Sequence, residues 1–134
     1  MWSPDGSRLL FRSFQEGPPH LFTHVAHAKD ANDEAFERSP LDETPTDWQN
    51  DRVLFHAMDA RNGFDIWSYT PSKTSRDALV KSAFNETDAR WSPDREWIAY
   101  VSDESGRPDI YVVTAAGQSR VRASFGGGTR PRWS

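Results

Sequence analysis

Chemistry in this chain would have to come from histidines, carboxylates, hydroxyls and arginines, because its 134 residues include no cysteine. That excludes disulfides, thiolate metal sites and a cysteine nucleophile. His20, His24 and His27 form the one histidine cluster. On a strand His20 and His24 share a face while His27 has the opposite parity, and no carboxylate sits at a spacing that completes a metal-binding set, so they read as a solvated strand face. Gly117-Gln118-Ser119-Arg120 has one glycine of a nucleophile elbow but lacks the second, and no helical pattern follows it. Gly126-Gly127-Gly128 would cradle phosphate if it led into a helix N-terminus; it is expected to lead into another strand, as a connection. The 20 aspartates and glutamates leave a glycosidase-type carboxylate pair open, but none is singled out by its surroundings. No catalytic residue, metal or cofactor is assigned.

The elements that would position such groups are set by a repeat. Trp2-Ser3-Pro4-Asp5-Gly6 returns as Arg90-Trp91-Ser92-Pro93-Asp94, in worn form as Asp47-Trp48-Gln49-Asn50-Asp51, and finally as Arg132-Trp133-Ser134. The tryptophans stand 46, 43 and 42 residues apart (2→48, 48→91, 91→133). After each comes a turn and an apolar run, Leu9-Leu10-Phe11, Val53-Leu54-Phe55 or Trp97-Ile98-Ala99-Tyr100. A Gly-bearing turn follows, at Gln15-Glu16-Gly17, Arg61-Asn62-Gly63 and Glu104-Ser105-Gly106. Next are His20-Leu21-Phe22, Asp65-Ile66-Trp67 and Asp109-Ile110-Tyr111. A fourth strand is expected around Phe36-Glu37-Arg38-Ser39, Leu79-Val80-Lys81-Ser82 and Val121-Arg122-Ala123-Ser124. Ser39, Ser82 and Ser124 each precede a tryptophan by nine residues, and Thr44, Thr87 and Thr129 by four.

These runs are rich in aromatic and branched residues, separated by turn chemistry, and sustain no helical period. Residues 26–36 are expected to be an enlarged loop. The second unit has lost two residues from its first turn, so Asn50-Asp51 must turn more tightly. Four-stranded units repeating every 40 to 50 residues predict an all-β protein, a β-propeller with three four-stranded blades per chain. A single such sheet cannot bury both faces, whereas stacked blades can. The alternative, a β-sandwich, has no reason to repeat its sequence. Blades are expected at about 2–46, 47–89 and 90–131, with 129–134 beginning the inner strand of a following blade. Because Asp5, Asp51 and Asp94 recur with the turns, they are read as bonding turn N–H groups rather than a ligand.

The Trp-Ser-Pro-Asp-Gly phrase, the run Trp97-Ile98-Ala99-Tyr100-Val101-Ser102 and the spacing Gly106…Asp109-Ile110-Tyr111-Val112 resemble the TolB-type propeller repeat. The stretches Phe84-Asn85-Glu86, Asp103 to Arg107, and Gly126 to Trp133 are similar to propellers that follow some bacterial serine/threonine kinase domains. The resemblance covers essentially the whole chain, departing at Gln49-Asn50 and in the 26–36 loop. It implies a six-bladed ring of which this chain is half, a bacterial source and an extracytoplasmic setting for the parent protein. It does not by itself imply an activity.

On that fold Asp47, Arg90 and Arg132, each just before a tryptophan, would line the inner strands with Asp88 and Arg130. A small anionic or peptide ligand is expected at that channel mouth. Three blades leave two apolar faces open. Residues 129–134 repeat what the first blade lacks before Trp2, so two copies are expected to exchange these segments and close one ring as a homodimer. The function expected is a non-catalytic module for protein or small-ligand binding; a propeller glycosidase or lactonase, or a structural fragment of a kinase-associated sensor, are the alternatives. A net charge of −4 argues against nucleic acid, and no apolar run reaches membrane-spanning length. There is no signal-peptide pattern at the N-terminus.

Overall fold

A computed structural model describes every residue except Glu16, Asp30 and Ala31. One residue of the Gln15–Gly17 turn and two of the 26–36 loop therefore lie outside the described residues. The first sheet holds β1 (Arg8–Ser13), β2 (His20–Val25) and β3 (Glu34–Ala35). The second holds β4 (Asp42–Gln49), β5 (Arg52–Asp59), β6 (Gly63–Thr70) and β7 (Ser75–Val80), with one 3₁₀ turn, Pro71–Lys73, before β7. The third holds β8 (Glu86–Trp91), β9 (Trp97–Ser102), β10 (Asp109–Thr114) and β11 (Arg120–Arg122). Each sheet is an antiparallel meander whose spatial order follows chain order. The all-β expectation holds. Among the described residues no helix is long and apolar enough to cross a membrane, which leaves β-barrels aside.

The second sheet explains why Val53-Leu54-Phe55 is apolar without interruption. Successive strand residues point to opposite faces, and both faces of this sheet are covered. Val53, Phe55, Ala57 and Tyr69 pack with Leu10 and Leu21 of the first sheet. Leu54, Ile66 and Val80 pack with Ala89, Trp91, Ile98, Tyr100, Tyr111 and Val113 of the third. Two layers of side chains thus join three sheets.

The shortened turn is as expected: Gln49 pairs with Arg52, and Asn50 takes φ +49° between them. Asparagine tolerates that left-handed conformation better than most residues. Asp5 and Asp94 cap their turns, accepting from the N–H of Ser7 and of Glu96, each at 3.0 Å. Asp51 does not, and its carboxylate accepts instead from the Ser72 hydroxyl. With two residues lost, the N–H two positions on already belongs to β5.

The fourth strands are also displaced. They lie at Glu34–Ala35, Ser75–Val80 and Arg120–Arg122, so the sequence placement at 36–39 is wrong and those ending at Ser82 and Ser124 run too late. The serines hold their register for a different reason. Ser82 donates its N–H to Asp65 at 3.3 Å and its hydroxyl to Glu86 at 2.6 Å. Ser124 donates its hydroxyl to Asp109 at 2.9 Å and accepts from the N–H of Ile110 at 2.8 Å. They close a strand onto buried carboxylates rather than extend it. Residues 129–134, expected as a strand, pair with none in this chain.

Candidate functional site

The inner edges of the second and third sheets, β4 and β8, carry three of the five residues expected at the channel mouth. Both strands are bulged. The β4–β5 register shifts between Pro45 and Asp47, and the β8–β9 register shifts between Thr87 and Arg90. In β8 the bulge carries Asp88 at φ +54°; Arg130, at the same place in the next repeat, takes φ +53°. Bulges bend a strand and re-aim its side chains. In β4 that position is Pro45, whose ring fixes φ near −65° and forbids the left-handed solution.

Asp47 is held closely. Its carboxylate accepts from its neighbour Trp48 N–H at 2.9 Å and from Trp91 N–H, across the sheet boundary, at 2.8 Å. Gln49 bridges the same gap, its amide reaching Trp91 O at 3.4 Å. Asp47 therefore ties one inner strand to the next. Arg90 and Arg132 share one local arrangement, each donating to the carbonyl just before it, Ala89 at 3.2 Å and Pro131 at 3.1 Å. The C-terminal segment lies alongside β8, with Trp133 donating its indole N–H to Arg90 O at 3.1 Å.

Electrostatics bring four of the five together. Burial and then the Arg132 guanidinium lower the pKa of Arg90, while Asp47 and Asp88 oppose them. Two cations and two carboxylates therefore share this edge. Arg130 stands exposed on the C-terminal segment. His56, Asp42 and Arg12 belong to the same neighbourhood and were not anticipated. Burial lowers the His56 pKa, Asp88 and Asp42 pull it upward, and Arg12 and Arg90 reinforce the fall. Arg12 also pairs with Asp42 at 2.7 Å, linking the first sheet to the second. The available signal was parity: His56 interrupts an apolar strand at a position whose neighbours Phe55 and Ala57 are buried. Of the histidine cluster, His24 bonds Asp33 at 3.0 Å and His27 is exposed in a turn.

A second set of acids lies between the sheets. Glu43, Asp65, Glu86 and Asp109 are fully buried. Asp109 is completely satisfied: Ser105 first, against opposing burial, then Ser124, the Gly127 N–H and Arg122 hold its carboxyl far below the usual range. Glu86 is the reverse case. Burial raises its pKa, the Ser82 hydroxyl opposes, and the charge of Asp65 raises it further. Oε2 of Glu86 and Oδ2 of Asp65 have no hydrogen-bond partner. Because the folded-state pKa of Glu86 is raised, its contribution favours folding below the ordinary glutamate pKa and is lost as pH rises through the folded value. Glu86→Gln keeps the shape and cannot ionise, so it should be more stable than the parent at alkaline pH and lose the advantage near pH 4. Thermal melts of both proteins across pH 4 to 9 check this, and parallel curves would count against it.

The comparisons with known proteins follow this geometry. The family described as the TolB beta propeller domain matches residues 1–134. A protein TolB homolog of Chlorobium luteolum is 27% identical over 119 residues, 88% of this chain and 27% of the relative. The solved structure of a TolB-type protein from Agrobacterium tumefaciens superposes with TM-score 0.89 at 20% identity, covering 99% of this chain and 48% of that one. TolB from Acinetobacter baumannii gives 0.77 at 23% identity, over 96% of this chain and 32% of that one. At those identities the structures speak for the fold alone. The chain spans about a quarter of the curated relative and about half or less of the two solved structures. Three antiparallel meanders packed face to face, matched along their whole length by one family, place the chain in the TolB β-propeller domain family.

Proposed function

We propose that this chain is half of a six-bladed propeller, with blades at about 2–46, 47–89 and 90–131, and that it works as a non-catalytic binding module. Two copies close the ring. Residues 129–134 of each copy run beside β1 of the other, and the mouth of the resulting channel, with Asp47, Asp88, Arg90, Arg130 and Arg132, takes a protein segment or a small anionic ligand.

The observation that carries this reading is a mismatch between the chain's two ends. The first sheet has three strands where the others have four, and its missing member is the inner one, represented by a single bridge from Trp2 to Leu9. The repeat equivalent of that strand is the unpaired segment 129–134. By the β8–β9 register, Thr129 of a second copy would face Arg12, since Thr87 faces Val101. Met1–Ser3 and Arg132–Ser134 are equivalent in the repeat, so they contend for the same stretch of β1 beyond that point. The end sheets also leave apolar side chains uncovered. Trp97 and Val121 of the third sheet are 39% and 59% exposed, and Trp2 beside the first is 58% exposed. A partner packed on either end sheet would cover these side chains.

Light scattering on the eluted protein tests it. A species of twice 15.3 kDa is expected, and a monodisperse monomer at micromolar concentration would refute self-closure.

A further inference from the structure

We propose an anion-binding site between the second and third sheets, built by Arg52, Arg95 and Lys73 and suited to a compact oxyanion of two or more charges. Two adjoining cavities, of about 270 and 480 Å³, share Asn50, Arg52 and Arg95 in their walls, and the larger also reaches Lys73. Among the described residues none of these three cations forms an ion pair. Arg76, Lys81, Arg120 and Arg122 of the same two sheets each do, whereas Arg90 of β8 does not.

Arg95 occupies a position that a glycine fills better. In the first repeat the Pro-Asp turn continues with Gly6 at φ +70°, and in the third with Arg95 at φ +65°. A side chain there strains the backbone, and such strain at a cavity wall is a pointer to use. Arg52 is oriented from beneath. Its guanidinium lies 5.0 Å from the Trp91 ring centroid and donates through Nη2 to Ser68 Oγ at 2.9 Å. The floor is rich in donors that lack acceptors: Arg52 Nε and Trp91 Nε1 are buried without a partner, whereas the equivalent indoles of Trp48 and Trp133 donate to carbonyls at 3.1 Å. Unanswered donors add to the positive potential of the three cations.

The nearby acids keep their charge, but among the described residues none of them pairs with these three cations. Asp94 is engaged by Ser92 Oγ and the Glu96 N–H, Asp51 by Ser72, and Asp77 by Ser75. Glu96 is exposed at the rim. A planar guanidinium pair and one ammonium suit a phosphate group or a polycarboxylate. The site is complete within one chain, so it does not depend on ring closure and survives if that reading fails.

Calorimetric titration of the intact chain with inorganic phosphate and, separately, citrate tests it. Saturable single-site binding of either is expected, and which one saturates names the source chemistry. Arg95→Gly combined with Lys73→Gln should weaken binding by at least about tenfold. Arg95→Gly alone should not lower Tm, because glycine relieves the strain. Arg61→Gln, at the far end of the β5–β6 hairpin, should leave affinity unchanged. Titrations that stay linear to tens of millimolar, affinity unaltered in the double variant, or an equal loss in Arg61→Gln would each overturn the proposal.

Discussion

Replacing Arg76 with methionine is expected to cost about 3–5 kcal/mol, the range for leaving a buried ionic group without its partner. That is a fifth or more of the roughly 5–15 kcal/mol that holds a domain folded. Arg76 extends from β7 to Glu37 at 2.7 Å and to Glu43 at 2.6 Å. Its guanidinium also stacks within 4.9 Å of the Phe55 centroid and 4.6 Å of the Trp67 centroid. Burial disfavours its charge, but the bonds to the two glutamates outweigh that and keep its pKa above the usual value. Glu43 is fully buried, and burial raises its pKa against the Arg76 bond. Without the arginine the raised value climbs further, so stability is retained below the ordinary glutamate pKa and lost as pH rises through the folded one. Urea melts at pH 5 and pH 8 should therefore show the larger loss at pH 8. Adding Glu43→Gln should recover part of it. A loss below about 1 kcal/mol at both pH values would place the pair among ordinary surface ion pairs.

Trp91→Ala should cost a comparable 3–5 kcal/mol, as for large aromatic truncations in a packed core. Trp91 is 4% exposed and sits in the cluster between the second and third sheets. The same change at Trp133, 37% exposed, should leave unfolding of the sheets within about 1 kcal/mol. On the proposed exchange it should act on association instead, lowering the dimer fraction. Denaturant melts and mass measured side by side separate the two effects. Equal destabilisation at both sites would mean that repeat position, rather than burial, sets a tryptophan's role.

Much of the fold could be read from spacing. The recurrence of Trp2, Trp48, Trp91 and Trp133 and the alternating or continuous apolar runs define sheets that bury aromatic faces against each other, and Val53-Leu54-Phe55 announces a sheet covered on both sides. The outer strands lie earlier than the recurring Ser39, Ser82 and Ser124 suggest, because that serine register does not mark backbone pairing. At Ser82 and Ser124 it reflects hydrogen bonds to Asp65, Glu86 and Asp109. Buried acids escape a reading of composition because charged residues are normally exposed. Their signature is an acid recurring at the same repeat position, as Asp65 and Asp109 do before Ile66 and Ile110.

The residues expected at a channel mouth were legible only in part. The placement of Asp47, Asp88 and Arg90 on β4 and β8 follows from the repeat, but the engagement of Asp47 with the Trp91 N–H depends on a bulge that no local residue type specifies. His56, Arg12 and Asp42 come from different strands, brought together by the stacking of sheets. Asp51 shows the opposite limit. The aspartate keeps its repeat position in a worn motif, but a two-residue deletion leaves the N–H two positions on within β5, and the carboxylate turns to Ser72.

Closure of a ring by exchange is tested most directly by a cross-link. The chain has no cysteine, so Arg12→Cys with Thr129→Cys introduces the only two. Paired residues on antiparallel strands stand about 4.5–5.5 Å apart at Cα, within disulfide reach. Mild oxidation should give a covalent dimer of twice 15.3 kDa, seen on a non-reducing gel and absent from either single variant at the same concentration. Oxidised double variant that stays at 15.3 kDa, or that forms a ladder of larger species, would contradict exchange of residues 129–134 between two copies.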